Sequence, residues 1–518
     1  MKHVLILWLL VSLEVQAQFN PQPDAITQKF FPEATLDIST PAFQKSTGFT
    51  RYAEMMDWLQ ATIVGHENEV VLSFIGESQK GKKIPMLVLT SPEKKAKTRV
   101  WMQGGLHGDE PAGTETMLFL IHNLLNNKAV QPLLGELEIA IVPMANIDGY
   151  EKQSRYSANG IDLNRDQTTL KAPESVALKR AFNAFNPSVA LDFHEYRPFR
   201  KDFTRLGSGG VTSLYDAMFL YSGNLNVPED LRNLTHDRFV KNACQVLDRH
   251  ELRHHDYLTP QKNGGRVEFN LGSVHSRSSA TSYALANSVS TLLEIRGVGI
   301  GRTSFKRRVK TSYLIALSYL ETAVKERNVL ETVLANTRVQ QNPVVVTSER
   351  LEQRDTLPMI DLGTKKEIRV PVLVHNALKS RPILQRERPT AYLILAQEKE
   401  AVDRLRVLGI RVDSMVADTE LEVEVYQTTR KYVAGNEEEE KDEEGNDAVA
   451  EAGATQLRSI KFRRGTWIVA MNQQRAGLAA EVLEPENVNS FVLNGIIGRQ
   501  PVSELAVYRY MKKEEIKR

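Results

Sequence analysis

At 518 residues the chain exceeds what one hydrophobic core usually supports, so two or more domains are expected. Its 66 basic and 64 acidic side chains leave a formal net charge of +2, which removes any general electrostatic case for nucleic-acid or membrane binding. The single cysteine, Cys244, excludes an intrachain disulfide and all but excludes a metal held by sulfur; in RFVKNACQVL it reads as a small core residue.

The N-terminus, MKHVLILWLLVSLEVQAQF, joins a basic start to an apolar core from Val4 to Leu13, followed by small residues at Val15 and Ala17. That core is shorter than the roughly 20 residues needed to span a bilayer. Residues 1–17 are therefore expected to be a cleaved signal peptide, giving an exported protein with no stable membrane anchor. The absence of disulfides suits a bacterial periplasm.

A first domain is expected over residues 25–338. The apolar runs VVLSFIG, IPMLVLT, RVWMQGG, LEIAIVPMA, PSVALDFH and VSTLLEI alternate with helical patterns such as PESVALKRAFNAF and RVKTSYLIALSYLETAVKERNVLETVL. This alternation predicts an α/β fold, with a mixed, mostly parallel sheet flanked by helices. Ligand sites in such sheets lie at the C-terminal ends of strands.

Three segments carry chemistry. In TRVWMQGGLHGDEPAGTETMLFLIHNLL a strand gives way to a helix after Pro111, leaving His107 and Glu110 on the connecting turn. His194 closes the strand VALDFHEY. Two imidazoles and a carboxylate form one of the standard sets that hold a catalytic Zn2+ with a position left open. A loop histidine beside a glutamate favoured by the helix dipole is the ordinary alternative. The polar loop NIDGYEKQSRYSANGIDLNRD brings Arg155, Asn164 and Arg165 close together, and guanidinium groups suit bidentate capture of a substrate carboxylate. A plain turn cluster is the alternative there. In TLLEIRG, Glu294 interrupts a buried run, where an ionised carboxylate is costly unless paired or functional. Together with the other two segments it reads as a general base.

Taken in order, H-x-x-E, then N-x-D-G with an arginine and D-x-N-R, then a strand-end histidine, then a strand glutamate, the chain resembles the zinc carboxypeptidases of the carboxypeptidase A type over roughly residues 50 to 310. The context DFHEYRP looks closer to divergent bacterial members. The resemblance implies that His107, Glu110 and His194 ligate one Zn2+ and that Asp162 orients a ligand histidine. It further implies that Asn164 and Arg165 grip the terminal carboxylate, that Arg155 steadies the oxyanion, and that Glu294 moves the proton. The substrate would be a peptide with a free C-terminal carboxylate. A cell-wall peptide or amide-linked acyl group, or an inactive binding module, are the alternatives. The family's capping tyrosine has no good counterpart, because Tyr283 stands too near Glu294 and reads as packing. Arg277 and His275 are candidates for lining the pocket of the last side chain.

The remaining histidines form no motif, and His254 and His255, being adjacent, point apart. Residues 345–518 are expected to form a smaller α+β or β-rich accessory domain. TAYLILAQEKEAVDRLRVLGIRVDSMV reads strand, helix, strand, while ELEVEVYQTTRKYVA and RGTWIVAMNQ read as strands. An acidic, aromatic-free insertion at 435–455 is expected to be disordered.

Overall fold

The computed structural model describes residues 22–93, 95–263, 266–337, 342–426, 454–498, 505–514 and 516. The expected signal peptide lies outside these residues, as does the acidic insertion apart from its last two positions.

Eight strands form the main sheet: β1 (Val70–Glu77), β2 (Lys83–Leu89), β3 (Thr98–Gly104), β4 (Leu137–Val142), β5 (Val189–Tyr196), β6 (Ala217–Tyr221), β7 (His254–Asp256) and β8 (Val289–Arg296). Their spatial order is β1-β2-β4-β3-β5-β8-β6-β7. The centre, β4-β3-β5-β8, is parallel, whereas β1 and β2 at one end and the β8–β6 junction are antiparallel. Every residue of β5 and β8 is buried, because helices or loops cover both faces of the sheet centre. That is why these strands read as near-continuous apolar runs.

The helix Pro111–Asn126 packs on β3, β5 and the long helix Phe305–Lys325, while Pro173–Phe185 packs against β1. The helical pattern expected to run through to Leu334 is two helices, Phe305–Lys325 and Arg327–Thr337, separated at Glu326. No helix among the described residues is long and apolar enough to cross a membrane.

A second sheet was not foreseen. Its core is a long hairpin, Val344–Asp361 and Lys366–Arg386, which lies in the C-terminal part of the chain. The first arm pairs with Val211–Ser213, and the second runs parallel to Arg266–Leu271, which in turn pairs with Leu258–Asn263. Phe269, Leu357, Met359 and Val374 from this sheet pack with Tyr196 and Met218 of the main sheet in one apolar cluster. A third, six-stranded sheet gathers Ala391–Ile394, Asp413–Ser414, Thr419–Tyr426, Thr455–Phe462, Trp467–Ala470 and Val507–Tyr510. The helix Lys399–Val407 lies between the first two of these strands in sequence, in the expected strand-helix-strand order. The helix Ala476–Leu483 fixes this part of the chain to the first: Glu481 Oε1 accepts from Asn224 at 2.9 Å and Asn226 at 2.6 Å.

Candidate metal centre and substrate clamp

β3 ends at Gly104, and the chain turns through Gly105 at φ +66° before His107, a left-handed conformation that glycine adopts without steric cost. Gly108 lies so close to the 149–154 backbone that a Cβ would overlap it. The turn is thereby pressed onto the polar loop that follows β4. Pro111 then starts the helix, leaving Glu110 at its N-cap. On the adjacent strand, His194 is near the end of β5.

These elements bring His107, Glu110 and His194 together, with one ligand atom from each within 4.8 Å of the others, and all three are buried. His107 Nδ1 lies 2.7 Å from Glu110 Oε1, and His194 Nδ1 lies 2.8 Å from Oε2 without an aligned hydrogen bond to it. The two Nδ1 atoms face each other at 3.0 Å. Two imidazole lone pairs aimed at one point beside a buried carboxylate repel one another unless a proton or a cation lies between them. This nitrogen and oxygen donor set fits a zinc ion.

Charges around the centre favour that arrangement. Burial opposes ionisation of Glu110, but His107 and His194 outweigh it and hold the carboxyl well below the usual range. Burial and Arg155 act against a charged His107, and Glu110 and Asp162 prevail to raise it. His194 is raised well above the ordinary value against its burial, by Asp192 and Glu110.

Asp162 is a hub. Its Oδ1 lies 3.0 Å from His107 Nε2 and accepts the Asn164 amide at 2.8 Å, while Oδ2 receives Arg155 Nε at 3.0 Å. A carboxylate at Nε2 fixes the ring tautomer that leaves the Nδ1 lone pair for a cation. Despite its burial, His107 and Arg155 hold the Asp162 carboxyl well below its usual range. Arg155 Nη1 also stands 3.7 Å from Glu110. Asn164 Oδ1 accepts the Ser279 amide at 2.9 Å, and the half-buried Arg165 follows it on the same short turn. Glu294, on β8, is the direct register neighbour of His194, so the two side chains leave the same face of the sheet side by side.

Several groups were missed by sequence reasoning. Asp192, two residues before His194 on the same face of β5, lies 2.8 Å from His194 Nε2 and accepts from Ser279 Oγ at 2.6 Å. A buried acid in an apolar run, the signal that exposed Glu294, is present there too. Glu195, the residue after His194 on β5, points the other way. It accepts the Ala112 amide at 3.0 Å and Arg308 Nε at 2.7 Å, anchoring the start of the helix that follows Glu110. Tyr283 is core, stacked on Phe182 and bonded to Gln103. Cys244 is half-buried in the helix Lys241–Arg249, where burial pushes its thiol up to about 12. His275 is buried, and Arg350 of the long hairpin stands 3.4 Å from it.

Residues 55–192 match a family model described as zinc carboxypeptidase. The chain is 30% identical to Carboxypeptidase 2 of Trichophyton rubrum over 457 residues, covering 84% of this chain and 81% of that protein. It is 29% identical to human carboxypeptidase D over 161 residues, 27% of this chain and 12% of the relative. Among solved structures, carboxypeptidase A from Helicoverpa armigera aligns at a TM-score of 0.43 and 19% identity, over 59% of this chain and 81% of that one.

Proposed function

Because the chain belongs to the zinc carboxypeptidase family, we propose that it removes C-terminal residues from peptides at the centre formed by His107, Glu110 and His194. The observation that carries this reading is the convergence of the three ligand atoms beside the carboxylate-held ring of His107. When bound, zinc acts as a Lewis acid and lowers the pKa of water from 15.7 to about 7.

The protein's own groups do the rest. Asn164 and Arg165 hold the substrate's terminal carboxylate, placing the last peptide bond over the centre. Glu294, beside His194, takes a proton from the attacking water and delivers it to the leaving amine. Arg155, anchored by Asp162, donates to the oxygen on which negative charge develops, a contact of a kind worth about 3–4 kcal/mol. Asp162 and Asp192 keep the two rings turned toward the metal.

Export belongs to the same proposal, resting on the N-terminal pattern of residues 1–17, and the single cysteine supports a bacterial periplasm as the destination. So does the division into a catalytic part, 25–338, and an accessory part, 345–518. Glu294→Gln tests the mechanism. The purified variant should bind zinc in the same stoichiometry and lose about 100-fold or more in peptide hydrolysis. Normal turnover would remove Glu294 from its role.

A further inference from the structure

The turn of Asn164 and Arg165 is held by one connection of the chain, residues 272–278, which runs from Arg266–Leu271 of the second sheet into the helix Ser279–Leu285. Ser279, at the start of that helix, donates its amide to Asn164 Oδ1 at 2.9 Å and its hydroxyl to Asp192 at 2.6 Å. The Arg277 carbonyl accepts the amide of Gln167, just after Arg165, at 3.2 Å. A carboxamide has an acceptor end and a donor end. With Oδ1 committed to Ser279, Asn164 presents Nδ2 as a donor, which is the polarity a carboxylate needs. Rotated by half a turn, it would set its oxygen against that negative charge.

The C-terminal part of the chain secures this connection. Asn224, buried after β6, donates from Nδ2 to the Val274 carbonyl at 2.7 Å and to Glu481 Oε1 at 2.9 Å, while its Oδ1 accepts the Asn226 amide at 2.8 Å. Asn226 makes a second bond to the same Glu481 oxygen at 2.6 Å. Alongside, the Gly223 amide donates to the Ser273 carbonyl at 2.9 Å. Glu481 lies on the helix Ala476–Leu483 and is buried. A carboxylate removed from water is costly unless donors satisfy it, and here the donors Asn224 and Asn226 come from the other part of the chain. Without Glu481, the Asn224 amide loses the acceptor that fixes its plane, and with it the alignment of its bond to Val274.

We propose that Glu481 is a positioning residue for substrate binding: through Asn224 and the connection 272–278 it holds Asn164 with its donor end toward the substrate's terminal carboxylate. The proposal rests on the carboxypeptidase reading above. It gives the helix Ala476–Leu483 a part in binding a substrate that it does not touch.

The test is steady-state hydrolysis of an N-acylated dipeptide with a free C-terminal carboxylate by the full-length zinc-loaded enzyme. In Glu481→Ala, KM should rise about tenfold or more, the factor that goes with one misaligned hydrogen bond to a charged group. Because the terminal carboxylate is gripped equally in the ground and transition states, kcat should stay within about threefold, with zinc stoichiometry unchanged. Asn224→Ala should do the same, and the double variant should exceed neither single one by more than about threefold, as two residues acting through one connection do. Glu481→Gln keeps an oxygen that can accept from Asn224 and Asn226, and should return KM to within about threefold of the native value. A KM within about twofold of native in folded Glu481→Ala overturns the assignment, as does a loss of zinc or a fall in kcat as large as the rise in KM. Should the alanine variants not fold, amide hydrogen exchange decides. The dipeptide bound to full-length zinc-loaded Glu294→Gln should slow exchange in residues 272–278 and in Ala476–Leu483, and protection that stops short of Ala476–Leu483 overturns the assignment. If the native enzyme releases no C-terminal residue, the carboxypeptidase reading itself falls and takes the role of Glu481 with it.

Discussion

At the scale of single residues the centre depends on carboxylates that hold rings. Asp162 holds the His107 ring at Nε2 and ties the turn of Asn164 and Arg165 to it through the Asn164 amide. Removing its charge takes away the carboxylate nearest to Arg155 and the strong acceptor at His107 Nε2. Losing the hydrogen-bond partner behind a metal-ligating ring typically costs 10- to 100-fold in metal affinity. Asp162→Asn is therefore expected to weaken zinc binding by about that factor, measured by competition with a chromophoric chelator; unchanged affinity would make Asp162 dispensable for the metal. Asp192 plays the equivalent part for His194 at 2.8 Å.

At the scale of elements, the turn carrying His107 and Glu110 is held from both sides. Gly108 lets it press onto the 149–154 backbone, and Glu195 reaches across from β5 to cap the helix that follows. Burial holds the Glu195 carboxyl above its usual range, against the opposing pull of Arg308 and the Ala112 amide. Such a pair is costly to break, since removing one partner leaves a buried charge alone, at about 3–5 kcal/mol. Arg308→Met should lower unfolding stability by about this amount in urea titration. A change within about 0.5 kcal/mol would mean that helix Pro111–Asn126 does not depend on the pair.

At the scale of the whole molecule, the long hairpin interlocks the two parts of the chain. Its arms supply strands next to Val211–Ser213 and Arg266–Leu271, and its apolar residues cover Tyr196 and Met218. Truncation after residue 338 would leave Val211–Ser213 without its partner and Arg266–Leu271 paired on one side only, exposing an apolar cluster and unpaired strand edges, a combination that favours aggregation. The truncated protein is expected to be insoluble or aggregated by size-exclusion chromatography. A soluble, monomeric and active fragment would show that the catalytic part stands alone.

The sequence by itself exposed the candidate metal site and the main sheet. His107 and Glu110 fall on one turn after a strand, His194 and Glu294 on apolar strands, and these are local patterns of period and punctuation that need no partner to be read. The arginines and Asn164 were legible for the same reason, being crowded into one polar loop. Other features depended on which segments meet. The second sheet joins residues more than 100 positions apart, so no local period announces it. Asp192 and Glu195 flank His194 in sequence, yet strand alternation sends one toward the ring of His194 and the other to Arg308. The pairing of Glu294 with His194 on one side and Met218 on the other follows from strand order. Local chemistry thus determined what reaction the chain is equipped for, whereas long-range pairing, which carries no short-range signature, decided how the site is held and what borders it.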